Sequence, residues 1–543
     1  MRNPMPFPSV PQQRMPLRLP SVRRVCLLGL GLGLALVLVC LAAPASAQRS
    51  VEFAPYALPA EGTVAVTMRQ GEPQDRAFTE LDRATGGALA RATASAGFEG
   101  KRGTTLNLHG IGPYAQVLVI GRGDETPAQR LLEDIGALAG NAGASSKAAR
   151  IELLWPEAAP AGGGAHLAFG AALGAYRFTT YKAVKPDGET PGQGSLVLRV
   201  AAPDAARAAW ARDWQPMAES VRFARDLVTE PANVIYPESF VARTRAAFAG
   251  VKNVEIEVLD VPAMQRLGMN SLLAVGQGSA RPPRLLVVRY RGAAAGEAPV
   301  AFVGKGITFD SGGISIKPGE NLWRMKYDMS GAAAVTATVL GLAKREAKVN
   351  AIAVAALAEN MPSGSAGRPG DVIRTMSGKT YEVMSTDAEG RMVLVDAMWF
   401  VQTRDKPRVL IDVATLTGSV RTALGDEYAG LFTRDDTLAD ALLAAGRASG
   451  EELWRLPLHP SYAKDLESPI AELRHSGGSG AGAGVGAHFI GEWVQPGVAW
   501  AHLDIASMAW RDDGAVPTMP AGASAFGIRL LDRYVRDTVE QAD

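Results

Sequence analysis

The chain has 543 residues, of which 47% are hydrophobic and 20% are charged, a composition that is typical of globular proteins with large cores. This length allows roughly two to four domains. Five arginines and no acid precede Ala47, and removing these five positive charges from the net charge of +1 leaves −4. A near-neutral to mildly acidic body argues against general nucleic-acid binding.

The N-terminal segment has the features of a secretory signal peptide. Arginines up to Arg24 precede an apolar run over residues 25–43, and Ala45-Ser46-Ala47 supplies a cleavage pattern of small residues. We therefore assign residues 1–47 to a signal peptide that is cleaved after Ala47. We expect an exported protein, periplasmic or secreted, without stable membrane insertion after cleavage. The apolar run is also long enough to span a membrane, so an uncleaved anchor is the alternative.

Both cysteines of the chain, Cys26 and Cys40, lie in this N-terminal segment. The body of the chain therefore contains no thiol, which excludes disulfides and cysteine catalysis there. A body without cysteine also tolerates an oxidising compartment.

Residues 48–206 have the pattern of a smaller N-terminal α/β domain. Residues 63–67 and 116–120 have strand patterns, and residues 129–142 have leucine and isoleucine at helical spacing. We find no catalytic constellation in this part of the chain. Residues 207–229 predict a helix that links this domain to the rest and ends ahead of a proline.

Residues 230–543 alternate strand and helix patterns, which predicts a larger C-terminal α/β catalytic domain with a mostly parallel central sheet flanked by helices. In such folds the site lies beyond the carboxyl ends of the strands. The glycine-rich run 476–486 is expected to be a loop. The predicted strands are 254–258, 284–290, 300–304, 350–356, 381–385 and 409–413, and the predicted helices are 329–344, 388–401 and 437–448.

Two stretches of this domain combine charged residues with the pattern of buried strands. They are VGKGITFDSGGISIKPGENLWRMKYD, residues 303–328, and STDAEGR, residues 385–391. Carboxylates that meet at one place repel one another unless cations hold them. Hard oxygen ligands suit Zn, Mn, Mg or Co, so the two stretches predict a divalent metal site. Their charged residues are Asp310, Asp328, Asp387 and Glu389, with Lys305, Lys317 and Arg391 beside them.

Together with KYDMSGAAAV, ENMPSG, RPGD and SGKTYEV, these stretches resemble the leucyl aminopeptidase family, which consists of hexameric two-metal exopeptidases. The similarity runs from about Ala224 to the C-terminus and, more faintly, from Val64. The resemblance implies a homohexamer and two divalent metal ions per subunit, Zn or Mn, with Co and Mg as further candidates. The implied metal ligands are Lys305, Asp310, Asp328, Asp387 and Glu389.

The resemblance also implies roles for four further residues. Lys317 would act as the electrophile and Arg391 would hold a bicarbonate ion that serves as the base, while Met325 and Leu416 would line the substrate pocket. Ser385 stands where the family usually has asparagine, which leaves the preferred N-terminal residue of the substrate open.

The expected function is therefore a metal-dependent aminopeptidase. It would remove N-terminal residues from peptides that have a free N-terminus, with a preference for leucine-like residues. Two metal ions would activate the hydroxide that attacks the peptide bond. Two alternatives remain: another two-metal hydrolase, such as a phosphoesterase, and a catalytically weak scaffold or binding protein on the same fold. The chain has no His-Glu-x-x-His motif, so it is not a zincin.

Local chemistry adds four expectations about the site. Lys305 can bind a metal only as a neutral amine, so we expect metal proximity and burial to lower its pKa. Asp387 and Glu389 are two residues apart and would point the same way on an extended segment. None of the six histidines lies in the carboxylate motifs, and we interpret His475, His488 and His502 as structural. Close approach of backbone to ligand is expected at Gly306, Gly312, Gly313, Gly331 and Gly390, with a role in turns alone as the alternative for some of them.

Overall fold

The computed structural model describes residues 49–126, 128–157, 162–183, 192–478 and 480–541. The predicted signal segment, residues 1–47, lies outside these ranges. Within them, no helix combines the length and the apolar character that a membrane span requires.

The N-terminal domain is organised around one sheet with helices on both faces. Its strands lie in the order β1-β6-β5-β2-β4-β3, and within this sheet only the pair β3–β4 is antiparallel. Side chains alternate along β2, so that Ala65 packs with α3 and α4 while Val64 and Val66 pack with α1 and α2. The strands are β1 Ser50–Pro55, β2 Gly62–Arg69, β3 Thr105–Ile111, β4 Tyr114–Gly123, β5 Arg150–Trp155 and β6 Ser195–Val200, and the helices are α1 Arg76–Ala84, α2 Ala88–Ser95, α3 Gln129–Ser145 and α4 Gly163–Gly174.

A helical segment connects the two domains. It begins as α5 Pro203–Ala209, passes through a π-helical turn at Trp210–Trp214 and continues as α6 Gln215–Thr229. Arg225 of α6 is fully buried and donates to the carbonyl groups of Leu173 and Thr518 at 2.9 and 2.7 Å, so one side chain contacts both domains. We keep 48–206, 207–229 and 230–543 as the proposed domain boundaries.

The C-terminal domain is organised around an eight-stranded sheet in the order β15-β14-β17-β13-β9-β10-β8-β7. The four central strands, β17, β13, β9 and β10, are parallel to their neighbours within that group. The strands of this sheet are β7 Val254–Leu259, β8 Arg284–Arg291, β9 Val300–Asp310, β10 Asn350–Asn360, β13 Val409–Ala414, β14 Ala429–Thr433, β15 Leu453–Arg455 and β17 Ala499–Asp504.

Helices cover both faces of this sheet, and each face has its own hydrophobic core. Phe302 of β9 packs on the face with α6, α10, α13 and α15, whereas Ala301 and Val303 pack on the face with α9, α11 and α14. The helices are α7 Pro237–Ala247, α8 Val261–Leu267, α9 Asn270–Gly276, α10 Ser330–Lys344, α11 Glu389–Asp405, α12 Gly418–Leu424, α13 Asp436–Ser449, α14 Gly482–Gly491 and α15 Ile528–Thr538, and the short strands are β11 Val372–Arg374, β12 Thr380–Glu382, β16 Leu473–Arg474, β18 Trp510–Arg511 and β19 Gly522–Ala523.

The first turn of α10 lies directly against the central sheet. A Cβ atom at Gly331 would lie 2.1 Å from the carbonyl oxygen of Val413 and 3.0 Å from the backbone nitrogen of Lys305. Backbone atoms cannot yield at such distances, so only glycine permits this approach. The contact holds the start of α10 against β13 and β9. It thereby fixes the position of the 3-10 turn Leu322–Met329, which directly precedes α10.

The two-domain α/β fold is the predicted one, with three local corrections. The glycine-rich run 476–486 is not a loop throughout, because α14 begins at Gly482. Residues 381–385 do not add a strand to the central sheet; β12 pairs with β11 and β16 in a separate small sheet. Glu389 does not continue an extended segment, because it is the first residue of α11.

Candidate metal centre and active site

Four carboxylates from three parts of the C-terminal domain lie at the carboxyl edge of the central sheet. Asp310 is the last residue of β9, Asp328 lies in the 3-10 turn Leu322–Met329 before α10, and Asp387 and Glu389 stand at the start of α11. Carboxylate oxygens of Asp310, Asp387 and Glu389 lie within 4.8 Å of one another. Asp310 reaches this edge as the end of a parallel strand, whereas ion pairs with Lys305 and Lys317 hold the other three acids there.

Lys305, in the middle of β9, joins two of these acids. Its Nζ lies 2.8 Å from Asp328 Oδ1 and 2.8 Å from Glu389 Oε1, and it donates to the carbonyl oxygen of Thr415 at 2.8 Å. Burial lowers the pKa of Lys305, but the charges of Asp328 and Glu389 outweigh burial, so its pKa is raised. The carboxylates of Asp328 and Glu389 therefore favour the ammonium form of this lysine, and the expected lowering of its pKa by a bound metal stays a prediction.

Gly390 allows the start of α11 to lie against Lys305. A Cβ atom at this position would lie 2.7 Å from Lys305 Cδ and 2.8 Å from both Cε and Nζ. The glycine therefore makes room for the side chain of Lys305.

Lys317 enters the acid cluster from the loop after β9. Its Nζ lies 2.9 Å from Asp310 Oδ2 and 2.5 Å from Asp387 Oδ1, and 22% of its side chain is exposed. Burial lowers the pKa of Lys317, but the charges of Asp310 and Glu389 outweigh burial and raise it. This ammonium group is therefore charged and reaches both the cluster and the solvent side of the site.

Several carboxylate oxygens of the cluster have no hydrogen-bond partner among the described residues. They are Asp328 Oδ2 and both oxygens of Glu389, although Lys305 Nζ lies close to Oε1. Burial raises the pKa of Glu389 and of Asp328, and the charge of Asp310 adds to the rise in both. Buried carboxylates without partners are costly. A set of hard oxygen donors with one amine nitrogen fits divalent cations, which would satisfy these atoms.

Arg391 lies in the first turn of α11, two residues after Glu389, and is also incompletely paired. Its Nη1 donates to the carbonyl oxygen of His475 at 2.9 Å, whereas its buried Nε has no partner among the described residues. Burial lowers the pKa of Arg391 to about 10, although the charge of Glu389 opposes the fall. A buried guanidinium with a free N–H donor is suited to bind an anion.

The two residues expected to line the substrate pocket, Met325 and Leu416, are both half-buried. Met325 lies three residues before Asp328 in the same 3-10 turn. Leu416 follows β13, and its N–H donates to Asp504 Oδ1 at 3.1 Å. A Cβ atom at Gly486 of α14 would lie 3.2 Å from Leu416 Cδ2 and 3.1 Å from Arg391 Nη2, so α14 packs closely over both.

Two buried side chains hold the segments around these residues: Asp504, to which the sequence assigned no role, and His475, which we interpreted as structural. Asp504 accepts from Thr417 Oγ1 at 2.6 Å and so fixes the turn after β13. His475 Nδ1 accepts from the N–H of Met384 at 3.1 Å, so its Nε2 carries the proton and donates to the carbonyl oxygen of Ser385 at 2.9 Å. Burial lowers the pKa of His475 to about 3, which keeps it neutral. No local pattern marks either residue, because both act across long sequence separations.

Comparison with known proteins gives consistent matches along the chain. The catalytic-domain model of the cytosol aminopeptidase family matches residues 222–532, and the N-terminal-domain model of that family matches residues 64–185. The chain is 46% identical over 502 residues to a probable cytosol aminopeptidase of Caulobacter vibrioides, covering 90% of this chain and 99% of the relative. It is 46% identical over 473 residues to a probable cytosol aminopeptidase of a Bradyrhizobium strain, covering 84% and 93%.

Solved structures agree with these matches. A variant of tomato leucine aminopeptidase aligns with a TM-score of 0.79 at 28% identity, covering 90% of this chain and 97% of that chain. The bottromycin maturation enzyme BotP in complex with Mn aligns with a TM-score of 0.76 at 33% identity, covering 87% and 98%.

The relatives contradict one expectation from the sequence, that of an exported protein in the periplasm or outside the cell. Both relatives are named cytosol aminopeptidases. The prediction of export rested on the composition of residues 1–47 alone, which lie outside the described ranges. On the evidence of the relatives, that prediction is wrong.

Proposed function

Because this chain belongs to the cytosol aminopeptidase family and is a metal-dependent aminopeptidase, we propose that it removes leucine-like N-terminal residues from peptides by two-metal hydrolysis. Membership of the family confirms the resemblance that the motifs indicated. The observation that carries the proposal is the buried cluster of Lys305, Asp328 and Glu389, with its unpaired carboxylate oxygens, between Lys317 and Arg391.

The proposed metal site consists of the five residues that the resemblance implied. Two bound divalent cations would supply a water nucleophile of lowered pKa and would polarise the substrate carbonyl. For Lys305 to be a ligand, its ammonium group must lose a proton. Cations that neutralise Asp328 and Glu389 remove the charges that raise its pKa. The five proposed ligands are Lys305, Asp310, Asp328, Asp387 and Glu389.

Lys317 is the proposed electrophile. Its ammonium group now pairs with Asp310 and Asp387. If those carboxylates bound metal ions instead, the ammonium group would be free to donate to the carbonyl oxygen of the scissile bond and to stabilise the negative charge that develops there. The exposed part of its side chain lies where a substrate would arrive from solvent.

Arg391 is the proposed holder of a bicarbonate ion that serves as general base. Its buried and unpaired Nε supports this role, because an anion would supply the missing hydrogen-bond acceptor. The carbonyl oxygen of His475 keeps Nη1 engaged and so fixes the plane of the guanidinium group.

The substrate and the metals are proposed from three further observations. Met325 and Leu416 are half-buried apolar side chains beside the cluster and would contact the side chain of the N-terminal residue. One similar structure is a leucine aminopeptidase, and another is a complex with Mn. We therefore propose Mn or Zn at the site, with Co and Mg as further candidates. A homohexamer remains a prediction, which light scattering of the purified protein would test.

A panel of aminoacyl amides tests the proposed function. The protein is stripped with a chelator and assayed after addition of Zn, Mn or Co, with phosphate esters as the comparison substrates. We expect no turnover without metal, and cleavage of leucine-like amides with metal. Turnover of phosphate esters instead would favour another two-metal hydrolase. Metal binding without cleavage of any amide would favour a scaffold or binding protein.

A further inference from the structure

Asn360 ends β10 at the same sheet edge as the acid cluster. The β9–β10 ladder is regular from Ala351 opposite Val300 to Ala358 opposite Ile307, and its register then shifts so that Asn360 lies opposite Asp310. Two residues of β9 thus face one residue of β10, which is a β-bulge. Bulges next to active sites re-aim side chains, and this one brings Asn360 beside the last residue of β9.

The side chain of Asn360 joins the two segments that carry the acids. It is 4% exposed, and its Nδ2 donates to Asp310 Oδ1 at 2.8 Å and to the carbonyl oxygen of Thr386 at 2.9 Å. Both N–H bonds of the amide are therefore used. One fixes a carboxylate of β9, and the other fixes the backbone one residue before Asp387.

Further hydrogen bonds secure this link. The carbonyl oxygen of Asn360 accepts from the backbone N–H of Ser311 at 3.1 Å and from Ser311 Oγ at 2.7 Å. Thr386 Oγ1 donates to the carbonyl oxygen of Gly312 at 2.6 Å. The turn after β9 and the segment before α11 are thus tied to the end of β10.

The link also decides which oxygen of Asp310 remains free for other partners. Oδ1 accepts from Asn360 Nδ2 and from the N–H of Gly312 at 2.9 Å, whereas Oδ2 faces Lys317. The orientation of the carboxylate is therefore set by a neutral amide before any ligand arrives. An amide suits this place because it adds no charge to a cluster that already contains four acids.

We propose that Asn360 is a positioning residue that holds Asp310 and the 385–389 segment in the spacing that divalent cations require, and so sets the metal affinity of the site. This inference rests on the proposed two-metal function. A purely structural role predicts that replacing Asn360 lowers stability alone. A positioning role predicts that replacement weakens metal binding in a protein that remains folded.

Asn350 offers a matched control because it begins the same strand that Asn360 ends. Its Nδ2 likewise donates two hydrogen bonds, but both go to backbone carbonyl oxygens, those of Ala294 and Glu297, each at 3.1 Å. The same chemical change can therefore be made at both ends of β10. Of these two asparagines, Asn360 contacts an acid of the cluster and Asn350 does not.

The test is calorimetric titration of Mn²⁺ into chelator-stripped full-length protein. We expect Asn360→Ala and Asn360→Ser to raise the Mn²⁺ dissociation constant about 10- to 100-fold, as loss of partners behind metal ligands usually does. Asn350→Ala and Asn350→Ser should leave it unchanged. The kcat/KM deficit of the Asn360 variants should shrink at saturating Mn²⁺, whereas the deficit of Lys317→Ala should not.

Circular dichroism identifies the variants that are folded. If Asn360→Ala does not fold, Asn360→Ser, which keeps a smaller polar side chain, carries the measurement. A folded Asn360 variant that binds Mn²⁺ as tightly as the unsubstituted protein overturns the inference alone. An unsubstituted protein that binds no Mn²⁺ and cleaves no amide overturns the proposed function, and this inference with it.

Discussion

Lys305 Nζ and Glu389 Oε1 lie 2.8 Å apart, although one residue is in the middle of β9 and the other begins α11. The two residues are 3% and 1% exposed. A buried ammonium group thus lies between acids from separate parts of the chain, with Gly390 providing the space. Removing one partner of such a pair leaves the other buried and uncompensated, so the roles of these residues can be tested one at a time.

Replacing Glu389 or Asp387 with alanine should abolish turnover and reduce the metal content. Each carboxylate supplies oxygen atoms to the cluster, and Glu389 Oε2 has no partner among the described residues. Activity against a leucine amide and metal content by mass spectrometry provide the measurement. Glu255→Ala is the control, because Glu255 is exposed and pairs only with Arg291 in the described ion pairs. Full activity of Glu389→Ala would be incompatible with the proposed mechanism.

Lys317→Ala should lower kcat about 10²- to 10³-fold, the usual cost of losing one donor to a developing oxyanion. The metal content should not change, because Lys317 is not among the proposed ligands. Kinetics and metal analysis on the same preparation separate these effects. Lys344→Ala is the matched control, since Lys344 forms an ion pair with Glu219 at 2.8 Å at the end of α10. Loss of metal from Lys317→Ala would instead assign this lysine a structural role.

Arg391→Ala should lower kcat about 10²-fold or more, the range of a positioned general base, and should remove any response to bicarbonate. The assay compares carbonate-free buffer with and without added bicarbonate. Arg404→Ala is the control on the same helix, because Arg404 lies in its last turn and pairs with Glu257 at 2.7 Å. If Arg391→Ala still responds to bicarbonate, the anion binds elsewhere.

Asp396 should make the stability of the domain depend on pH. Burial raises its pKa to about 7, although the N–H groups of Met376, Leu272 and Ser271 donate to it. Between about pH 4 and 7 the folded state therefore holds a proton that the unfolded state has lost. The stabilisation from this proton falls as the pH rises through that window, by up to about 1.4 kcal/mol per unit.

The test compares this protein with Asp396→Asn in chelating buffer. Urea unfolding midpoints are measured from pH 5 to pH 8. The asparagine does not titrate, so the advantage of the unsubstituted protein over the variant should shrink as the pH rises. Equal pH slopes for the two proteins would contradict a raised pKa at Asp396.

The central part of the fold could be predicted because its signals are local. The apolar pattern of β9 and the helical spacing of α10 each lie within one continuous stretch. Asp310 follows a buried strand directly, so its place at the sheet edge follows from the rule for parallel sheets. The domain boundaries and the roles of the site residues remain predictions that the experiments above would test.

The remaining features depend on contacts between residues that are distant in the chain. The start of α14 contains Gly482, Gly484 and Gly486, which by propensity weaken a helix. A Cβ atom at Gly484 would lie 2.5 Å from Tyr462 Cε2, so close packing against another segment selects glycine there. His475 reaches residues 384–385 and Arg391 in the same way. No single stretch contains both partners of these contacts.

The close contact between Gly331 and β13 has a consequence for judging distant relatives. A methyl group at that position would push α10 away from the sheet and carry Asp328, three residues earlier, with it. A homologue could therefore keep every charged residue of the cluster and still lack the geometry to use them. Screening such sequences for glycine at the position of Gly331 should separate competent enzymes from inactive copies more reliably than matching the acids and lysines alone.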